Sequence, residues 1–380
     1  MSQATLKPKC NPDEVLFVSL ELSNKKWKLT MTTGEGVKTR NRNVDAGDFE
    51  TFDEAVRRSK ARFGLEDSCP VVSCYEAGRD GFWIHRALDA RGVNNIVIDP
   101  ASVDVSRRRR KRKTDRLDGE KLLENLVRWY VGRKNVWSVV EIPSTQDEDA
   151  RQFHRELQAL KGERTRHTNR IKSLLVTCGV RIQRIGPKFA EWLDTATQWD
   201  GNRLPPQLRE RLLREYQRIC LVEGQIREMA VQRRAAIRES SDERIEEVRR
   251  LMRLRSIGEN SAWPLVMEFF SWRHFKSGKQ VGSLAGLTPT PYASGDMKYE
   301  QGISKAGNRR IRAVMIELAW CWRRFQPTSE LTMWFEQRFG QGSKRSRKVG
   351  IVAFARRLLI ALWRYLEFDE MPAGAVLKTR

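Results

Sequence analysis

The sequence predicts an α/β domain followed by a mainly helical region, and three observations predict it. Strand-length apolar runs with period-two alternation fill the first part of the chain, long stretches of near-heptad apolar spacing follow, and amphipathic stripes at helical period close it. With 380 residues the chain is long enough for two or three domains, each burying a core. The expected boundaries are 1–145, 146–246 and 247–380.

Val15 to Glu21 is an apolar run of strand length, Trp27, Leu29 and Met31 alternate, and Gly34-Glu35-Gly36 supplies a turn before Val37 to Val44. These make a three-strand meander. A helix from Asp48 to Phe63 is closed by Gly64, and Val71 to Glu76 then reads as a buried strand. A helix from Phe82 to Ala90 and a strand from Asn95 to Ile98, stopped by Pro100, complete the order βββαβαβ, and Lys113-Thr114-Asp115 opens the final helix. This order is that of ribonuclease-H-like nuclease folds, in which acidic groups gather at strand ends.

Between Ala150 and Leu175 the apolar positions Phe153, Leu157, Leu160, Ile171 and Leu174 keep heptad-like spacing, interrupted by Arg164 and His167. A second such helix carries Leu208, Leu212, Ile219, Val222, Ile226 and Met229, so an antiparallel or intermolecular coiled coil is expected, joined through the less regular stretch Arg181 to Pro206. Beyond Glu247 the texture is compact and helical around a Gly-rich loop, Thr288 to Gly307. One stripe there is Ile311, Val314, Met315, Leu318 and Trp322; another is Ile351, Phe354, Leu358, Leu359 and Leu362.

Charge gives the first functional clue. Lys and Arg number 71 against 48 Asp and Glu, a net +23 whose self-repulsion a polyanion would offset, so nucleic acid is the leading partner over a ribosomal or membrane-surface role. Apolar residues at 40% exclude wholesale disorder, and no apolar run approaches bilayer length. The polar stretch Met1 to Pro12 lacks an export signal, leaving the cytoplasm, near the nucleoid, as the expected place. Six scattered cysteines read as reduced structural thiols.

Two-metal phosphodiester chemistry needs several carboxylates within a few ångströms, because paired dications otherwise repel. Glu21 and Glu76 end strands, while Asp115 and Asp118, three apart on the opening helix, share one face. The plainer reading makes them solvated termini or a favourable helix N-terminus. Immediately before them stands an unbroken basic run, Arg107, Arg108, Arg109, Arg110, Lys111, Arg112 and Lys113, placed to hold a phosphate backbone rather than to form a solvated tail. In the Gly-rich loop, Lys305, Arg309, Arg310 and Arg312 could bind phosphate oxygens, and Ser294 is either a turn residue or a nucleophile. Arg255-Ser256-Ile257-Gly258 faintly resembles a helix-hairpin-helix.

Phe17-Val18-Ser19-Leu20-Glu21-Leu22-Ser23, Tyr75-Glu76-Ala77-Gly78-Arg79-Asp80-Gly81, Lys113-Thr114-Asp115-Arg116-Leu117-Asp118 and Gly302-Ile303-Ser304-Lys305-Ala306-Gly307-Asn308-Arg309-Arg310 together resemble the insertion-sequence 110/1111 transposases over nearly the whole chain. The resemblance implies an N-terminal RuvC-like (ribonuclease-H-like) domain, central coiled-coil helices and a C-terminal transposase domain. It further implies a Mg2+ set of Glu21, Glu76, Asp115 and Asp118, holding two ions with Mn2+ as substitute, and Ser294 as nucleophile forming a phosphoserine link. The family's usual first acid is Asp, where this chain has Glu21, longer by one methylene and still able to ligate a metal. Also implied are donor and target DNA, a non-coding guide RNA that reads sequence by base pairing, and a homo-oligomer, dimer or tetramer, with a composite site. A plain metal-dependent nuclease or junction resolvase, and a non-catalytic nucleic-acid-binding protein, are the competing readings.

Overall fold

The computed structural model describes residues 14–103, 115–133, 136–294 and 297–378, and of 115–118, 291–294 and 297–301 it describes the backbone. The chain divides into two compact units, Met1–Pro143 and Ser144–Arg380.

In the first unit a five-stranded mixed sheet has the order β3-β2-β1-β4-β5. The strands are β1 (Leu16–Glu21), β2 (Lys26–Thr32), β3 (Arg40–Asp45), β4 (Val71–Glu76) and β5 (Asn94–Ile98), with α1 (Phe49–Phe63), α2 (Trp83–Asp89) and α3 (Asp115–Tyr130) around them. The meander β1-β2-β3 is antiparallel, and β4 and β5 join β1 in parallel, each reached through a crossover helix. Alternation decides which side each residue faces. Leu16, Val18, Leu20, Trp27, Leu29 and Met31 pack with Phe52 of α1 and Ile84 and Leu88 of α2. Val15, Phe17, Val72 and Cys74 face Leu122, Leu123 and Leu126 of α3 on the opposite side. Helix α1 is bounded as its sequence asks, by Asp48 accepting from Thr51 N at 3.0 Å and by Gly64 in the left-handed region at φ 70°.

The second unit opens with α4 (Thr145–Val176), set by a Ser144/Asp147 capping box, followed by α5 (Phe189–Thr195) and α6 (Pro206–Glu239). Leu157 and Leu160 meet Val222 and Met229, whereas Ile171 and Leu175 meet Leu212 and Ile219, so α4 and α6 run antiparallel. Their apolar seam is interrupted where buried Glu215 accepts from His167 at 2.6 Å, Arg170 at 3.0 Å and Arg218 at 3.0 Å.

The remaining elements are α7 (Glu243–Arg253), α8 (Glu259–Leu265), α9 (Gly278–Leu284), β6 (Pro289–Ser294), β7 (Met297–Ile303), α10 (Arg309–Phe325), α11 (Glu330–Phe335) and α12 (Lys344–Phe368). The expected stripes are its core: Ile311, Met315, Leu318 and Trp322 pack against Ile351, Phe354, Leu358, Leu359 and Leu362.

One expectation is corrected. The Gly-rich loop is largely an antiparallel hairpin, β6 on β7, irregular between Pro289 and Pro291. Its glycines and small residues suggested a loop, and its prolines, which cannot donate to a ladder, are accommodated because a two-stranded sheet consists of edges, where proline is tolerated. Among the described residues Cys69, Cys74, Cys178, Cys220 and Cys321 are unbridged, and no helix is long and apolar enough to cross a membrane.

Candidate functional site

Two of the four expected acids meet at one edge of the sheet. Strands β1 and β4 are parallel and in register, Leu20 opposite Tyr75, so Glu21 and Glu76 occupy the next rung at the C-terminal ends of adjacent strands. By alternation both side chains belong to the face covered by α3, with Phe17 and Ser19 on one strand and Val72 and Cys74 on the other. Glu21 is half-buried and Glu76 exposed. Burial pushes the Cys74 thiol well up, and the charge of Glu76 adds to that shift from the same side. On the other flank Glu21 stands opposite Lys28 of β2, a cation that sequence reasoning missed and that only strand register reveals.

Helix α3 covers that face. It begins at Asp115, so the backbone of Asp115 and Asp118 forms its first turn, although their side chains lie outside the described residues. Its height above the sheet is fixed one step later. Ser19 Oγ donates to the carbonyl of Gly119 at 2.8 Å, and a Cβ on Gly119 would come within 2.8 Å of Thr30 Oγ1. Only glycine permits that approach. None of the three carries this role in the sequence reading, because the Ser19–Gly119 bond joins residues a hundred positions apart. Among the described residues no group of three or more His, Cys, Asp or Glu side chains lies close enough to hold a metal. The basic run Arg107 to Lys113 lies outside the described residues.

In the second unit the hairpin separates what the sequence had placed in one loop. Ser294 ends β6 and pairs with Met297 at the tip, whereas Pro289 pairs with Ile303 at the base, five residues or about 16 Å away. Beyond the base come Lys305, with φ 56°, and the helix α10 capped by Asn308, whose side chain accepts from the amides of Arg310 and Ile311. The four cations divide. Arg312 donates to the carbonyls of Ala285 at 3.3 Å and Lys305 at 3.1 Å, and Arg310 donates to Gln158 of α4 at 2.9 Å. Arg312 therefore ties the turn together and Arg310 has a neutral partner, whereas the side chains of exposed Lys305 and Arg309 make no such bond among the described residues.

Behind this basic segment α4 carries a buried polar cluster that the sequence reading did not pick out. Arg155 grips Glu268 with two bonds, 2.7 and 3.0 Å, and Arg233 donates to Glu259 at 2.8 Å and Asn260 at 2.9 Å. His154 is buried beside them. Burial above all lowers its pKa to about 4, the cations Arg233, Lys161 and Arg310 lower it further, and Glu268 opposes them, so it is a neutral imidazole. The faint helix-hairpin-helix resemblance falls on α7, a turn with Ser256 at φ 85°, and α8.

The sequence profile described as the transposase IS116/IS110/IS902 family matches residues 248–332, which include the hairpin and all of α10. A transposase of Sinorhizobium fredii, y4rJ, is 41% identical over 96% of this chain and 95% of its own length. The transposase of the insertion sequence element IS1328 of Yersinia enterocolitica is 26% identical over 77% of this chain and 83% of its own. That of IS1111A of Coxiella burnetii is 21% identical over 80% and 79%.

Proposed function

From a chain that belongs to the IS116/IS110/IS902 family of transposases, and so serves the movement of an insertion sequence, we propose a cut-and-rejoin enzyme in which Ser294 is the nucleophile and Glu21, Glu76, Asp115 and Asp118 form a Mg2+ set on a RuvC-like sheet. The observation that carries the proposal is the convergence of Glu21, Glu76 and the first turn of α3 on one sheet face. An oxygen-only donor set suits a hard cation that keeps part of its water shell, so these residues fit Mg2+. When bound, Mg2+ supplies Lewis-acid polarisation of a phosphate and neutralises charge as it builds.

The chain's own residues do the rest. The tip of the hairpin presents Ser294 to a scissile phosphate, and a carboxylate takes the hydroxyl proton. The serine oxygen forms a bond to phosphorus while the bond to the departing strand breaks. Attack by a second strand's hydroxyl then releases serine with the phosphodiester energy conserved. Lys305 and Arg309 bind backbone phosphates at the base of the hairpin. Sequence choice lies with a guide RNA, and the working species is a homo-oligomer in which the carboxylates of one subunit serve the serine of another, as the family resemblance implies.

The test is trapping of a covalent protein–DNA adduct with Mg2+ and donor DNA, wild type against Ser294→Ala. The adduct should form with wild type alone, and Ser294→Ala should bind RNA normally while losing strand exchange. Cleavage without an adduct in either protein would replace this mechanism by a metal-dependent nuclease. Strand exchange by Ser294→Ala at the wild-type rate would refute the serine assignment.

A further inference from the structure

Helix α10 carries a second recognition feature at the end remote from its basic motif. Its inner face is core, but Trp320 is 41% exposed and Phe325 42% exposed near its C-terminus. Trp320, Arg323, Arg324 and Glu336 line an open cleft of about 400 Å3. The cleft is built, because Arg323 lies 5.7 Å over the Trp320 ring and 5.0 Å over Phe335 and is ion-paired with Glu336. These contacts hold the Trp320 face in place. Arg324 is exposed, stacks 5.3 Å over Phe325 and makes no ion pair among the described residues.

Resting on the reading of the chain as a nucleic-acid enzyme, we propose that this cleft binds an unpaired nucleobase of a DNA or RNA strand, which stacks on Trp320 while Arg324 holds a flanking phosphate. An exposed indole beside arginine is the combination with which proteins bind single strands, since every base offers a π-face. Helical geometry links the cleft to the basic motif. Trp320 follows Arg309 by eleven positions, about three turns, so both stand on one line of α10 roughly 16 Å apart. One strand can therefore lay a phosphate on Arg309 and a base on Trp320. Exposed Glu317 stands on the stretch between, and at the cleft Glu336 is already paired with Arg323, so Arg324 is the cation left for a flanking phosphate and the Trp320 ring the face left for a base. A base also brings amino groups that the Glu336 carboxylate can accept from.

The experiment titrates the full chain with labelled single-stranded DNA, single-stranded RNA and fully paired duplex, using wild type, Trp320→Ala, Trp320→Phe and Arg324→Gln. Trp320→Ala should weaken single-strand binding by roughly 5- to 100-fold with its salt dependence intact, and Trp320→Phe should restore most of it. Arg324→Gln should lower the slope of log affinity against log salt by about 0.7 on single strands. Which of the two single strands loses more identifies the source of the base. Equal binding by wild type and Trp320→Ala, equal losses on single strand and duplex, or a changed oligomeric state with single-strand affinity intact would each overturn the proposal. In those cases the transposase reading stands, whereas a wild type that binds no nucleic acid brings down both.

Discussion

Replacing Gly119 by Ala sets two effects of opposite sign against each other. In an exposed helix the change would stabilise by about 1 kcal/mol, because alanine is the better helix former. Here the new methyl would sit 2.8 Å from Thr30 Oγ1, roughly 0.7 Å inside the separation non-bonded atoms prefer. Thr30 has little freedom to yield, being fully buried, β-branched and bonded to Asn41 Oδ1 at 2.9 Å. Helix α3 must move instead, at an overpacking cost of about 1 to 3 kcal/mol, and the Ser19–Gly119 bond must lengthen. The net change in stability is then a loss of about 0 to 2 kcal/mol. Activity should suffer far more, since Asp115 and Asp118 move with the helix and a misplacement near 1 Å costs on the order of 100-fold. The assay pairs denaturant unfolding with Mg2+-dependent cleavage of donor DNA. Adding Thr30→Ala, which removes the obstructing oxygen, should recover activity beyond the additive expectation. A Gly119→Ala protein that is about 1 kcal/mol more stable and fully active would refute the reasoning.

Three further outcomes follow from the same structure. Arg155→Ala should destabilise by about 3 kcal/mol by leaving buried Glu268 without its two-bond partner, the low end of the range because Arg155 is itself 36% exposed; a loss under about 1 kcal/mol in chemical unfolding would show that Arg151 already neutralises Glu268. His154, with its pKa lowered to about 4 from 6.5, stays neutral while the unfolded chain takes up a proton. Stability should therefore fall by about 2 kcal/mol between pH 7 and pH 5 on its account, and wild type and His154→Leu showing the same pH dependence over that window would count against it. Changing Arg107 to Lys113 into Gln should weaken nucleic-acid binding across sequences, each lost phosphate contact lowering the log–log salt slope by roughly 0.7 to 0.9; an altered sequence preference at an unchanged slope would show that the run reads bases.

How much was legible depended on the range over which each feature is decided. Strand β4 could be read to the residue and β1 to within one, Val15 lying just before it, because their apolar runs are continuous and strand-long. Helix α1 carried its own boundaries in Asp48 and Gly64. By contrast β3 starts at Arg40, later than Val37, because it begins where pairing with Met31 of β2 allows, and Val37 is left exposed. The apolar seam of α4 announced its own interruption at His167, but its partner Glu215 lies 48 residues away and no local pattern points to it. Arg310 and Arg312 looked like free cations for the same reason: the acceptors that occupy them, Gln158 and two backbone carbonyls, exist only in the folded chain.

The same distinction decides how much weight the acids bear. An acid at the end of a strand means little alone, since a solvated terminus satisfies it equally well. A register slip of one residue between β1 and β4 would have put Glu21 and Glu76 on opposite faces. The observed register instead sets two carboxylates side by side on one rung of one face, an arrangement that repels and is disfavoured unless positive charge accompanies it. Lys28 stands across from Glu21 in the register of β1 and β2. The backbone of Asp115 and Asp118 forms the first turn of α3, the helix that covers the same face. Strand register therefore bears on the metal proposal in a way that sequence spacing cannot, by setting Glu21 and Glu76 side by side on the face that α3 covers.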